Sequence, residues 1–356
     1  MKKRYLTGKW ELSCLIINLI IYKSFTDAPR RFMAAGSAAF LSAFISAVIT
    51  YLFIWFLPCL YKKTGVKNIF ELLEKKRYAT LAAGIIITVY LVFSSAHALE
   101  ALVTFSKIAA FPSAPFAFIA IFFVAAFAAA VSRGMESCIR PHAFIVPFCI
   151  FMIVLMLSAV VRYFDATNLL PVLGKGTANT LYTSVKNLPY FFDFVLVFLI
   201  NPFVEDEKSF KHTVRIAGAV GIGINLLIIL SANLIIPYPA SEEIEFPVYQ
   251  IMKNVYFGRF FQRIDAAYLL SVALSGMAYL SFAAFLMTYT FKQAFGLSKN
   301  RPFVWSFAFI ILFLSLLIHK KAIGNFYNLL LIFETAAAAL IILTPTVFFK
   351  KGRINK

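Results

Sequence analysis

The residues of this chain that could do chemistry are polar and ionisable side chains set inside long apolar runs. Two such runs contain clusters: Tyr22-Lys23-Ser24-Phe25-Thr26-Asp27-Ala28-Pro29 and Leu188-Pro189-Tyr190-Phe191-Phe192-Asp193-Phe194. An ion held in hydrocarbon is costly and normally pairs or turns toward a cavity. At helical pitch, Leu12 to Ile21 rises about 15 Å, and Asp193 lies about 16 Å back from Val204. Both depths are half of a hydrocarbon core about 30 Å thick. Lys23 and Asp193 can therefore face one cavity, paired with each other or with a ligand's carboxylate and ammonium. The alternative is that Lys23 snorkels outward from a short first helix while Asp193 caps a half-helix or pairs elsewhere. Tyr22, Lys23, Ser24, Phe192 and Asp193 are the candidate ligand-binding residues of these two runs.

His97 and Glu100 are three residues apart and so share a helix face, suited to proton sensing, ligand contact or a plain inter-helix hydrogen bond. Ser271 and Ser275, four apart, suit either ligand contact or helix packing. Glu334 lies roughly 12 Å into an otherwise apolar helix and is a candidate proton or ion-coupling group. No HExxH, GxSxG or phosphate-binding glycine loop is present, so no enzyme activity is expected. The sequence Gly218-Ala219-Val220-Gly221-Ile222-Gly223 has no preceding strand and fits close helix packing. Histidines at 97, 142, 212 and 319 and cysteines at 14, 59, 138 and 149 show no ligand spacing. No metal, cofactor or disulfide framework is expected.

The elements that must position these groups are membrane helices. The chain is 61% hydrophobic and 14% charged, with 41 Phe among 356 residues, a composition whose solvent is lipid. The net charge of +18 fits basic loops on one side of a membrane, and no nucleic-acid partner is expected. Ten segments of roughly transmembrane length are expected in one integral membrane domain over 1–356: 12–33, 34–60, 79–108, 115–131, 143–163, 177–204, 212–236, 263–291, 302–319 and 326–349. The first and sixth carry the polar interruptions. Unwound backbone at that depth occurs only where protein buries it or a cavity lies beside it, as in many transporters. Lys2-Lys3-Arg4 before the first apolar run resembles a signal peptide, but no small-x-small cleavage site follows, so a retained helix is expected. Lys and Arg favour the side carrying both termini by about twofold, which puts both in the cytoplasm. Asn68 to Glu74 should form a short amphipathic helix on that face, and the stretch from Glu242 to Phe261 a lid, docking surface or interfacial helix on the other.

Several motifs, weak singly but collinear from about residue 10 to 349, are similar to those of the spore germination permease family. They are Arg133-Gly134-Met135-Glu136 with Arg140, the Phe192-Asp193 step with its Asn201-Pro202-Phe203 exit, and Arg263-Ile264-Asp265. The resemblance implies an all-α, polytopic fold of the amino acid–polyamine–organocation type, a five-plus-five inverted repeat with broken helices 1 and 6. It implies a pocket between segments one, three, six and eight. It also implies the B subunit of a nutrient germinant receptor in the spore inner membrane, a bacterial cell membrane. Such a subunit works with A and C (lipoprotein) partners and senses an amino acid or similar small nutrient. One departure stands out: the first break of such permeases is small and glycine-containing, whereas Tyr22, Lys23 and Ser24 fill it here. Either the ligand differs or Lys23 is an internal tether to Asp193. The competing reading is a proton- or ion-coupled amino-acid transporter, with His97, Glu100 or Glu334 carrying the ion.

Overall fold

A computed structural model describes residues 7–64, 68–74, 76–204, 207–238, 240–254, 264–299 and 301–354. In chain order the helices are α1 (Lys9–Thr26), α2 (Ala28–Met33), α3 (Ala39–Thr64), α4 (Ile69–Leu73), α5 (Arg77–Ala109), α6 (Phe116–Arg133), α7 (Met135–Ile139), α8 (His142–Val160), α9 (Thr177–Lys186), α10 (Asp193–Leu196), α11 (Glu207–Ile235), α12 (Pro247–Asn254), α13 (Ile264–Phe295), α14 (Val304–His319) and α15 (Phe326–Ile354). No strand occurs among the described residues, only an isolated bridge between Thr7 and Val204.

Nine stretches among the described residues are long and apolar enough to cross a membrane, against the ten segments expected. The difference is the first. Its helix α1 carries Lys9, Glu11 and Lys23, too many charges for a lipid-facing span. Instead α1 is wrapped by protein, with Leu12, Leu15, Ile16, Asn18, Ile21 and Ser24 all at 1% exposure or less. The outer helices are the reverse: Phe118, Phe122, Phe144, Phe309 and Phe313 stand exposed on α6, α8 and α14. In water such a surface would aggregate; in a bilayer it faces acyl chains.

Packing follows the repeat. The third span, α5, lies most extensively on α13, the eighth, five spans further on. The first span lies on the seventh, α11, and the sixth on the second, α3. Each broken span thus meets the second span of the other half. The short connections are ordered by the same pressures. Gly134 sits at φ +113°, a conformation that side chains resist, and stops α6 so that α7 can turn back. Arg140 at the end of α7 then pairs with Glu136 and reaches Glu11 of α1 at 3.4 Å. Helix α4 forms where the amphipathic spacing predicts it, with Asn68 accepting the Glu71 backbone N–H at 2.9 Å. Its apolar side (Ile69, Phe70 and Leu73) is buried against α5 and α15 rather than laid on lipid.

On the face opposite the termini, Phe246 and Tyr249 of the α12 region pack edge-on to Phe105 of α5. This packs the start of the stretch expected as a lid, docking surface or interfacial helix onto the bundle; residues 255–263, including Arg263, lie outside the described residues.

Candidate functional site

The two interrupted spans meet at the centre, and they are interrupted differently. The spacing predicts an unwound first span from Tyr22 onward. Instead α1 stays helical through Tyr22, Lys23 and Ser24 to Thr26, and the ladder continues across Asp27, whose N–H donates to the Lys23 carbonyl at 2.9 Å. Asp27 in turn accepts from the Arg31 N–H at 3.1 Å. Pro29 breaks this ladder because it has no N–H. The carbonyl it would have met, on Phe25, accepts the Tyr268 hydroxyl of α13 at 2.7 Å. The sixth span is broken into pieces: α9 stops at Lys186, and Leu188–Phe191 and Val197–Phe203 are 3₁₀ turns on either side of the one-turn α10.

Lys23 projects from the intact helix into that opened backbone. Its Nζ lies 2.9 Å from Asp193 Oδ2, 3.0 Å from the Tyr190 carbonyl and 3.6 Å from Glu334 Oε1. It also sits over the Tyr190 ring at 5.2 Å. Asp193 is held from two further helices: Tyr90 of α5 donates a short hydrogen bond to Oδ1, and Tyr279 of α13 donates to Oδ2 at 2.9 Å. Lys23 therefore points inward as a tether and does not snorkel. Burial in low dielectric makes such a pair strong only when its remaining lone pairs are satisfied, and the tyrosines do this.

A second cluster lies one turn further along. Asp27 meets His97 Nε2 at 2.7 Å and Arg31 at 3.3 Å, while His97 Nδ1 is buried without a hydrogen-bond partner among the described residues. Asn187 Nδ2 donates to the Arg31 carbonyl at 3.1 Å, tying the two interrupted spans together. Tyr22 donates to the Ala98 carbonyl at 2.6 Å and stacks on Tyr279. Tyr22, Lys23, Asp27, His97, Tyr279 and Glu334 are among the residues around a central cavity of about 20 Å³. A distal cavity of about 390 Å³ adjoins it on the side away from the termini.

The remaining candidates go elsewhere. Glu100 accepts from Thr104 at 2.8 Å and faces His319 at 3.6 Å, because its side chain leaves α5 toward α14 while His97 turns to α1. Ser24 accepts from Asn225 of α11 at 2.7 Å, so it binds helices together rather than lining the cavity. Phe192 is half-buried at the core's edge; its neighbour Phe191 is the one packed on Phe32. Ser271 bonds back to the Ala267 carbonyl, and the Ser275 carbonyl accepts Asn18 Nδ2 at 3.0 Å, which puts both serines at helix contacts outside the central cavity.

Embedded charges do not point to Tyr90, Tyr279, Tyr190 or Tyr268, and Arg31 and Asp27 stand at this site although neither is among the candidate ligand-binding residues. The available signal was depth: Tyr90 stands about 20 Å into α5 from Arg77, where a hydroxyl needs a partner.

An interrupted-helix bundle with a charged pair at its centre is a membrane protein of transporter architecture. It has a TM-score of 0.66 to a Na⁺-coupled sialic acid symporter in a substrate-bound outward-open state, at 10% identity over 96% of this chain and 82% of that one. The same score relates it to MhsT in complex with L-phenylalanine, at 12% identity over 97% and 90%. Within that architecture the chain belongs to the spore germination protein family, the spore permeases, whose model matches residues 8–323. It is similar to spore germination protein B2 of Bacillus subtilis (strain 168), 26% identical over 226 residues, and the match spans 61% of this chain and 60% of that protein's length.

Proposed function

We propose that this protein is the nutrient-sensing B subunit of a spore germinant receptor. It sits in the spore inner membrane with both termini cytoplasmic, so the distal cavity opens outward. An amino acid or similar small nutrient drives the broken helices into a second arrangement, which A and C subunits read. The family and the B2 relative support the setting. The observation that carries the reading is the Lys23–Asp193 contact at 2.9 Å. It joins an ammonium to a carboxylate at the meeting of the two interrupted spans, the same chemistry an amino acid would offer. A ligand acts on such a device only by preferring one of two states; a swing from 1:99 to 99:1 takes about 5.5 kcal/mol of preference. A self-occupied centre also favours a switch over a carrier, which must empty its site every cycle.

The test is nutrient-triggered dipicolinate release from spores lacking the gene, across an amino-acid panel. Loss of the response to one nutrient, restored by wild type and not by Asp193→Asn, supports the receptor. An unchanged response to every nutrient overturns it, and liposome uptake then tests the coupled-transporter reading.

A further inference from the structure

Room for a ligand lies beside the centre rather than in it. The central cavity of about 20 Å³ has room for no more than about one water, because Lys23 already fills the space. The distal cavity of about 390 Å³ is within the range of small-molecule pockets. Asp27, Arg31, Leu330 and Glu334 line both, so these four make the wall between them.

Two charges on that wall are incompletely engaged. Among the described residues Glu334 has Lys23 as its ion-pair partner, at 3.6 Å, and its side chain is 4% exposed. Asp193, by contrast, holds the same lysine at 2.9 Å and two tyrosine hydroxyls besides. Lys23 is held more closely by Asp193 than by Glu334, and Arg31 is a further cation near Glu334, so Glu334 has cations near it but no close ion pair of its own among the described residues. Arg31 meets Asp27 through one guanidinium nitrogen at 3.3 Å, and a guanidinium has five N–H donors to offer. Asn179 lines the distal cavity as well, and its Nδ2 is buried without a hydrogen-bond partner among the described residues.

We propose that the distal cavity is a separate landing site for a zwitterion, whose ammonium is taken by Glu334 and whose carboxylate is taken by Arg31 with Asn179. This rests on the nutrient-receptor reading, and it separates landing from opening. A ligand ammonium on Glu334 leaves Lys23 wholly on Asp193, so the tether opens in a second step.

The experiment is titration of the full-length protein in lipid nanodiscs with the twenty L-amino acids, then with the N-acetyl and methyl-ester derivatives of the tightest binder. Asn179→Trp and Glu334→Gln are each expected to weaken binding at least tenfold, and each derivative to bind at least tenfold more weakly. Asp193→Asn frees Lys23 to turn to Glu334 and compete with the ligand ammonium, so it too is expected to weaken binding. Asn328→Trp, at an exposed position on α15 lining the same cavity, fills it independently should Asn179→Trp fail to fold. Unchanged binding to both tryptophan variants overturns the landing site and leaves the receptor reading standing. No binding of any amino acid to the wild type overturns both.

Discussion

The first and sixth spans are both interrupted at mid-depth, yet they contribute opposite things. The first keeps its helix through Lys23 and kinks only where Pro29 withholds an N–H, so it offers charged side chains on a rigid support. The sixth departs from α-geometry on both sides of the short α10 and offers opened backbone, including the Tyr190 carbonyl that receives Lys23. An ammonium fixed on one span thus substitutes for the backbone partner that the other has lost. The asymmetry explains how a first span without glycine still fits this architecture: it does not need to unwind, because its neighbour does.

The largest way to break this comparison is to remove half of the tether. Lys23→Met leaves the Asp193 carboxylate buried with tyrosine hydroxyls alone, at an expected cost of about 3–5 kcal/mol. Lys23→Met together with Asp193→Asn should recover most of that, since an absent pair costs far less than a broken one. Thermal unfolding of the wild type and the two variants in the same detergent reads the difference. Equal losses in the single and double variants would show that the sixth span does not depend on the lysine.

The first span's kink offers a sharper test, because one hydroxyl compensates one missing amide. Tyr268→Phe should cost about 1–3 kcal/mol by leaving the Phe25 carbonyl buried and unmet. In that background Pro29→Ala restores an amide that can reach the same carbonyl. Stability should rise toward wild type, whereas Pro29→Ala alone should change little. If Pro29→Ala gives no rescue, the kink is held by packing and not by this bond.

How much of this was legible beforehand follows from what each interaction leaves in a sequence. Lys23 and Asp193 announce themselves, because charges at computed mid-depths from opposite faces have few other reasons to be there. The proline positions are equally readable, since a missing amide is written in the residue type. What proline does to its span is not. Pro29 and Pro189 look alike, but among the described residues the first is the one whose orphaned carbonyl meets a hydroxyl on a helix more than two hundred residues away. The tyrosines around Asp193 were hidden for a related reason: Tyr in an apolar helix reads as bulk until its hydroxyl has an address. Helical spacing put His97 and Glu100 on one face, yet three residues subtend enough arc for α1 to claim one and α14 the other.

The smallest effects concern how tightly the first span is gripped, and they separate its kinked end from its straight part. At Gly276 of α13 an added Cβ would stand 2.8 Å from Tyr22 Cε2 and 3.1 Å from Leu102. The ring cannot yield easily, being stacked on Tyr279 and bonded to the Ala98 carbonyl. Gly276→Ala should therefore cost about 1–3 kcal/mol through overpacking. At Gly221 of α11 the added Cβ would stand 2.7 Å from Ile20 Cδ1. That atom is the free end of a flexible side chain, and a rotamer change relieves the clash at about 0.5–1.5 kcal/mol. Measured side by side, Gly276→Ala should lower the unfolding temperature more than Gly221→Ala. The reverse order would place the rigid grip on α1 below the charged site instead of beside it, and Lys23 would then be held by its carboxylate partner more than by the helix that carries it.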